Sequence, residues 1–296
     1  MYSPLYNHLI VCDSCANLRR QGRKALAGKW SLAVVAVLIY LALTEVPIYF
    51  MDYFLGKPIT ISAPLGSYYS NLYSYSDLAF GNFSWASSLY SLLLTGAFMY
   101  GLVLFFMSLF RRRTASNEML FEGFSDFGKT LGLYLYMLLF IFLWSLLFVI
   151  PGIIAAIRYS QSFMILADDP SKSITQCVNE SKFIMEGNKS KYFWMNLSFI
   201  GWILLAAIPP AIVGSIMQNT GSQQIVMDIV SWAASAGELW VISYILSTDI
   251  AFYDILTGRL TDTTNQDSNK NYYEGTVNGY KEEPDKDDYT GKRGSF

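Results

Sequence analysis

Long apolar stretches alternate with shorter polar ones along most of the chain. Five of them are close to the roughly 20 residues that a helix needs to cross the hydrocarbon layer of a bilayer. They cover residues 30–50, 85–110, 131–150, 192–217 and 225–256. This pattern predicts an all-α fold, a polytopic bundle of about six transmembrane helices once a further run is counted.

That further run, residues 152–167, is shorter. Pro151 separates it from the preceding stretch, and Arg158 interrupts it. At about 1.5 Å per residue it extends about 24 Å. Its length is therefore compatible with a short span of its own or with the far half of one kinked helix.

The placement of basic residues favours six spans. If residues 131–167 cross twice, the basic segments beside the spans share one side, and Lys57 is the only basic residue outside the membrane on the other. The positive-inside rule makes the shared side the cytoplasm, so both termini are expected inside and the protein in the cell (plasma) membrane. The basic residues concerned are Arg19, Arg20, Arg23, Lys24, Lys29, Arg111, Arg112, Arg113, Lys129, Lys172, Lys182, Lys189, Lys191 and Arg259.

The chain divides into three regions on this basis. Residues 1–29 form a basic cytoplasmic segment, residues 30–257 the transmembrane helical domain, and residues 258–296 a cytoplasmic tail. From Thr261 onward the tail carries eight acidic and five basic residues and lacks apolar runs, so we expect it to be disordered. The outer loop, residues 56–84, is rich in Tyr and Ser, which suits an interfacial cap.

A polar stretch between the fourth and fifth spans has helical periodicity. Residues 173–186 predict an amphipathic cytoplasmic helix, started by Asp169 and Pro170 and stopped by Gly187. Its expected apolar face comprises Ile174, Cys177, Val178, Ser181, Ile184 and Met185. This helix and the acidic tail are the candidate contact surfaces for other envelope proteins.

Composition supports a membrane protein. Of the 296 residues 53% are hydrophobic and only 15% charged, and the formal net charge is -2, so the bilayer is the expected solvent and nucleic acid is not an expected partner. The three cysteines, Cys12, Cys15 and Cys177, are too few for a disulfide framework.

Residues 123–130, G-F-S-D-F-G-K-T, fit the G-x-x-x-x-G-K-[ST] pattern of phosphate-binding loops. Such a loop follows a buried strand and opens a soluble helix, whereas here no strand is predicted before Gly123 and a membrane span follows Thr130. The pattern therefore indicates an aromatic turn at the membrane surface, and we expect no nucleotide to bind.

Other chemistry is sparse. Cys12 and Cys15 with His8 could supply three ligands to zinc, but a structural site needs four and His8 is the only histidine. Because His8 is the only histidine, a Ser-His or Cys-His catalytic pair is not expected away from the N-terminus. No catalytic residue, metal site or cofactor is predicted, and the chain is not expected to be an enzyme.

Ionisable residues inside apolar spans are costly and are therefore candidate functional residues. Glu45, Arg158 and Glu238 fall at similar depth in the outer half of the membrane in the six-span arrangement. Similar depth predicts that Arg158 reaches Glu238 or Glu45. The contact would be a structural ion pair or part of a polar substrate or proton site.

Four stretches resemble one known family in order and spacing. They are LRRQGRKALAGKWSLAV near the start, LWSLLFVIPGI from 143, ESKFIMEGNKSKYFWMNLSFIGW from 180 and LWVISYILSTDIAFYDIL from 239. They resemble the bacterial, mainly Gram-positive, integral membrane proteins catalogued as domain of unknown function 975. Two departures from that family are Ser243, where a proline is expected, and Asp249, where a small or apolar residue is usual. The resemblance implies a multi-pass membrane protein and no established activity.

Two functions remain open. The first is a non-enzymatic membrane protein that binds or organises envelope proteins or lipids. The alternative is a small transporter or permease component that uses the intramembrane charges and helices broken at Pro47, Pro151, Pro209 and Pro210.

Overall fold

Helices account for nearly all of the described structure. The computed structural model describes residues 9–61, 78–220, 230 and 236–260. The helices are α1 (Cys15–Leu26), α2 (Trp30–Leu55), α3 (Trp85–Arg112), a 3-10 helix (Asn117–Phe124), α4 (Phe127–Leu147), α5 (Val149–Tyr159), α6 (Ser162–Asp168), α7 (Ile174–Ile184), α8 (Lys189–Leu197), α9 (Ile200–Thr220) and α10 (Ala236–Leu256). The tail from 261, expected to be disordered, lies outside the described residues.

Within the described residues, six helical segments are long and apolar enough to cross a membrane. They are Trp30–Leu55, Trp85–Arg112, Phe127–Leu147, Val149–Asp168, Lys189–Val213 and Ala236–Leu256. The predicted all-α, six-span fold class is thereby confirmed.

The third and fourth spans form a helical hairpin. Phe148 has extended backbone between α4 and α5, and Gly152 packs against Ser145 across this turn. At the other end both helices reach α7: Gly132 lies against Ile174, and the Ser181 hydroxyl donates to the Arg158 carbonyl over 2.7 Å. Residues 131–167 therefore belong to two helices packed as a hairpin, and not to one kinked helix.

Several non-spanning segments gather at one end, which we name the basic end: α1, the 3-10 helix, α7 and the C-terminal ends of α3 and α10. The α1 helix packs along α10, where the Ser247 hydroxyl donates to the Gly22 carbonyl over 3.0 Å. The Arg113 guanidinium donates to the Ala25 carbonyl over 2.6 Å at the end of α1. The basic N-terminal helix is thus part of the packed bundle.

The predicted amphipathic helix is present as α7. Cys177, Val178 and Ser181 are fully buried, and the capping residue is Ser173, which exchanges hydrogen bonds with Gln176. The start expected at Asp169 and Pro170 thus shifts to Ser173, because its hydroxyl satisfies a free amide of the first turn. Gly187, with φ 73°, follows the helix as expected. Burial raises the pKa of the Cys177 thiol to about 11.

Burial separates central from peripheral spans. In the most apolar windows of α3 and α10, 61% and 72% of residues are buried, against 11% in both α4 and the span Lys189–Val213. The exposed residues of α4 and α9 include many large apolar ones, for example Leu146, Leu147 and Leu204. The core therefore forms around α3 and α10, and the outer helices present an apolar surface suited to lipid.

The loop between α2 and α3 contains two short strands that the sequence did not predict. Strands β1 (Lys57–Ile61) and β2 (Leu78–Phe83) pair antiparallel, with an irregular register between Pro58 and Thr60. They continue from α2 and α3, which pack together and are joined by a 2.5 Å hydrogen bond from the Ser87 hydroxyl to Asp52. Packing of the helices thus brings the strands into pairing distance.

Glycines allow the 3-10 helix to approach α3 closely. A Cβ at Gly101 would collide with the Leu120 carbonyl, and a Cβ at Gly123 would collide with the Ala97 carbonyl. Backbone atoms cannot rotate away as flexible side chains can. Gly128 has nothing near its Cβ position, so the two glycines of the phosphate-loop pattern differ in packing.

We expect Gly123→Ala to destabilise the protein by about 1–3 kcal/mol, because the added methyl group overpacks a backbone contact. Gly128→Ala is the matched control. It adds the same methyl group in open space on helix α4 and should be neutral or slightly stabilising. Thermal unfolding of the purified proteins in one detergent checks this, and equal midpoints for the two variants would contradict the packing argument.

Candidate functional site

Two of the predicted site residues share one groove. Glu45 on α2 and Glu238 on α10 both line a space of about 400 Å³ between the two helices, together with apolar side chains such as Leu38, Leu41 and Ile242. Both glutamates are exposed, and neither forms an ion pair with another described residue. The groove therefore presents two carboxylates on an otherwise apolar face of the bundle.

Arg158 lies elsewhere. Helix α5 packs against α4, α7 and α8, and Arg158 is close enough to Lys182 on α7 for its charge to add to the effect of burial in lowering the pKa of that lysine. The Arg158 Nε atom is buried without a hydrogen-bond partner. The expected contact with Glu238 or Glu45 is thus not formed in the described part of the chain, because Arg158 lies beside α7 at the basic end and does not line the groove.

A separate cavity lies inside the bundle beside Asp249. It has a volume of about 330 Å³, and its polar lining groups are Thr95, Tyr134, Ser160, Tyr192 and Asp249. The rest of its wall is apolar, including Met99, Phe163 and Leu246. Asp249 is 9% exposed, and its Oδ1 atom has no hydrogen-bond partner.

Five elements build this cavity. Thr95 comes from α3, Tyr134 from α4, Tyr192 from α8 and Asp249 from α10, while Ser160 lies at the break between α5 and α6. At that break the Ser181 hydroxyl of α7 accepts a hydrogen bond from the Gln161 amide over 3.2 Å. The cavity thus depends on packing between the spans and α7.

Asp249 is not among the site residues predicted from the sequence. A usable signal was the polar spacing on α10: Ser243, Ser247 and Thr248 are buried, and the hydroxyls of Ser243 and Thr248 donate to carbonyls four residues earlier. A polar face on an apolar span indicates a surface turned toward protein. Asp249 continues that polar stretch.

An ion-pair network closes the basic end. Arg111 donates to Asp168 over 2.6 Å and to Asp254 over 3.1 Å, and the Tyr253 hydroxyl donates to Asp168 over 2.6 Å. Arg259 also pairs with Asp168. Both carboxylate side chains are only 5% exposed. The network joins α3, α6 and α10.

Residues 123–130, which fit the phosphate-loop pattern, form contacts inside the protein. A 3-10 helix, not a strand, precedes it, and the Thr130 hydroxyl donates to the Gly123 carbonyl over 3.1 Å. The Lys129 ammonium donates to the Pro170 carbonyl. The lysine and the threonine that would contact phosphate and metal in a phosphate-binding loop thus bind backbone carbonyls here.

The two cysteines near the N-terminus differ in exposure. Cys12 is exposed, and its thiol donates to the Ile10 carbonyl over 3.7 Å, while Cys15 is half-buried at the start of α1. His8 lies outside the described residues. In the described ranges no three His, Cys, Asp or Glu side chains are grouped so that they could hold a metal ion.

Comparison with known protein families gives a match over part of the chain. Residues 146–260 match the family model described as protein of unknown function (DUF975). The resemblance to that family is confirmed. Neither the curated proteins nor the solved structures contain a match.

The DUF975 segment contains much of the chemistry described above. Asp168, Tyr192, Asp249 and Asp254 lie within residues 146–260, whereas Arg111 lies before them. The Arg111 network therefore joins the matched segment to the helices that precede it.

Replacement of Arg111 by methionine should destabilise the fold by about 3 kcal/mol, because Asp254 loses its cation and the buried Asp168 loses one of two. Arg112→Met is the control, since Arg112 is exposed and forms no ion pair with another described residue. Unfolding in detergent would be followed by helical circular dichroism. Equal stability of the two variants would show that the network does not hold the spans together.

Proposed function

We propose that this protein is a non-enzymatic membrane protein that binds a protein or lipid of the cell envelope. The observation that carries the proposal is the groove containing Glu45 and Glu238 on an apolar face of the bundle. A carboxylate in contact with hydrocarbon is costly unless it is protonated, hydrated or paired. A bound envelope component with a basic or hydrogen-bonding group offsets that cost.

The basic end offers a second contact surface, and its chemistry differs from the sequence expectation. The apolar face of α7 is buried inside the protein. A partner that binds segment 173–186 would therefore contact its polar face. Thr175, Asn179 and Glu186 lie outside the buried face of this segment. Contacts with this face are therefore expected to be polar. The other predicted contact surface, the tail from 261, lies outside the described residues.

The transporter alternative has weaker support. Pro47 lies inside the continuous helix α2, and Pro209 and Pro210 lie inside α9, so these prolines do not break their helices. Only Pro151 lies beside an interruption, at the turn between α4 and α5. The basic end is also closed by ion pairs that would have to separate for passage through the bundle.

We propose the plasma membrane as the location, with both termini in the cytoplasm. The support is the asymmetry of charge: α1, the end of α3, the loop before α7 and the end of α10 carry basic residues and share the basic end. The positive-inside rule assigns such an end to the cytoplasm.

Co-purification tests the binding proposal. Wild-type protein and the double variant Glu45→Gln, Glu238→Gln would be purified in a mild detergent, and bound proteins and lipids identified by mass spectrometry. We expect at least one abundant component of the wild-type sample to be lost from the double variant. Glu118→Gln, which alters an exposed carboxylate at the basic end, should retain it. An identical set of components in all three samples would contradict the groove as a binding site.

Cysteine labelling tests the orientation. Single cysteines would be placed by Lys57→Cys, Lys182→Cys or Lys189→Cys in a background in which Cys12, Cys15 and Cys177 are replaced. A membrane-impermeant thiol reagent should label position 57 in intact cells and positions 182 and 189 only after lysis. The native Cys177 is a poor probe, because burial raises the pKa of its thiol to about 11 and keeps it protonated. Labelling of position 182 in intact cells would reverse the assigned orientation.

A further inference from the structure

The Asp249 cavity contains a buried acidic side chain with one unpartnered oxygen atom. Asp249 is 9% exposed, its Oδ1 atom lacks a hydrogen-bond partner, and it takes part in none of the ion pairs among the described residues. A buried carboxylate without an ion-pair partner is costly, whereas a nearby cation offsets much of the cost. The observed surroundings thus favour a positively charged occupant.

The cavity is large enough for a small organic molecule. Its volume of about 330 Å³ lies at the lower end of the range for ligand pockets and greatly exceeds the roughly 30 Å³ of one water molecule. The wall is mainly apolar and includes Met99, Val103 and Phe163. It therefore matches a ligand with a compact apolar body.

A bare metal ion fits these surroundings poorly. The wall supplies one carboxylate and a few hydroxyl groups, among them those of Tyr192 and Ser160. Hard cations such as Ca²⁺ take about six to eight oxygen ligands. An ammonium group needs only three hydrogen-bond acceptors, so a carboxylate flanked by hydroxyls suits it better.

We propose that this cavity binds a protonated amine with a compact apolar body, its ammonium group paired with Asp249. Tyr192 and Ser160 supply further oxygen acceptors, and the apolar wall holds the hydrocarbon part. The ligand reaches the cavity from the hydrocarbon layer beside Leu138, which lines the cavity and is 45% exposed on α4. This site is distinct from the Glu45 and Glu238 groove, so it stands or falls independently of the proposed function.

Two probes with the same apolar body separate charge from shape. 1-Adamantylamine is protonated at neutral pH, whereas 1-adamantanol is neutral. Each would be titrated into wild-type protein in detergent by isothermal calorimetry. We expect the amine to bind at least tenfold more tightly than the alcohol, because only the amine neutralises Asp249.

Substitutions locate the site. Asp249→Asn keeps the side-chain shape and removes the charge, and it should weaken amine binding at least tenfold. Glu118→Gln is the matched control, because it removes an exposed carboxylate at the basic end that lies outside both the cavity and the groove, and it should leave binding unchanged. Leu246→Phe reduces the cavity while keeping Asp249 and should weaken binding of both probes, which keeps the test informative if Asp249→Asn does not fold.

Three results would overturn the proposal. They are no binding of the amine to wild-type protein, equal binding of amine and alcohol, and equal binding of the amine to wild-type and Asp249→Asn. Loss of binding in Glu238→Gln with retention in Asp249→Asn would also overturn it, since it would assign the amine to the other groove.

Discussion

Asp168 is the point at which the spans are joined. It ends α6, accepts from Arg111 of α3 and Tyr253 of α10, and pairs with Arg259 just beyond α10. Buried ion pairs add little net stability, because the desolvation cost cancels much of the attraction. Their effect here is geometric: they hold the rotation and depth of α3, α6 and α10. The packing positions of α1 and α7, and the shape of the cavity between the spans, depend on that geometry.

The rotation of α10 determines where its acids point. Asp249 and Asp254 are five residues apart, which is about 140° around a helix. Because Asp254 faces Arg111, Asp249 is turned to another side, where it meets the cavity and not the network. The same rotation places Ser247 against the Gly22 carbonyl of α1. One helix thus supplies a structural acid, a cavity acid and the contact for the N-terminal helix.

Features of the fold that leave a periodic pattern in the sequence could be predicted from it. Apolar runs and charge asymmetry located the six spans, and the 3.6-residue pattern located the buried face of α7 because its other face is polar. The spans themselves are apolar all round, so their rotation could not be inferred from sequence. Glu45 and Glu238 share a groove, as their predicted depth allows, whereas Arg158 lies beside α7 at the basic end and not at the depth predicted for it. The Arg111 network was not predicted, because its members are far apart in sequence and its two cations, Arg111 and Arg259, served only as topology signals.

The intramembrane acids differ in how they can reduce their cost. Glu45 and Glu238 are exposed and have two methylene groups, so they can extend toward water or toward a partner in the bilayer. Asp249 has a single methylene group and is enclosed by α3, α4, α8 and α10, so it cannot reach solvent by bending. The Asp249 carboxylate must therefore be neutralised inside the cavity, by a proton or by a cation that enters it. Enclosure therefore makes Asp249 the more selective of the two acidic sites, and exposure makes the groove the more accessible.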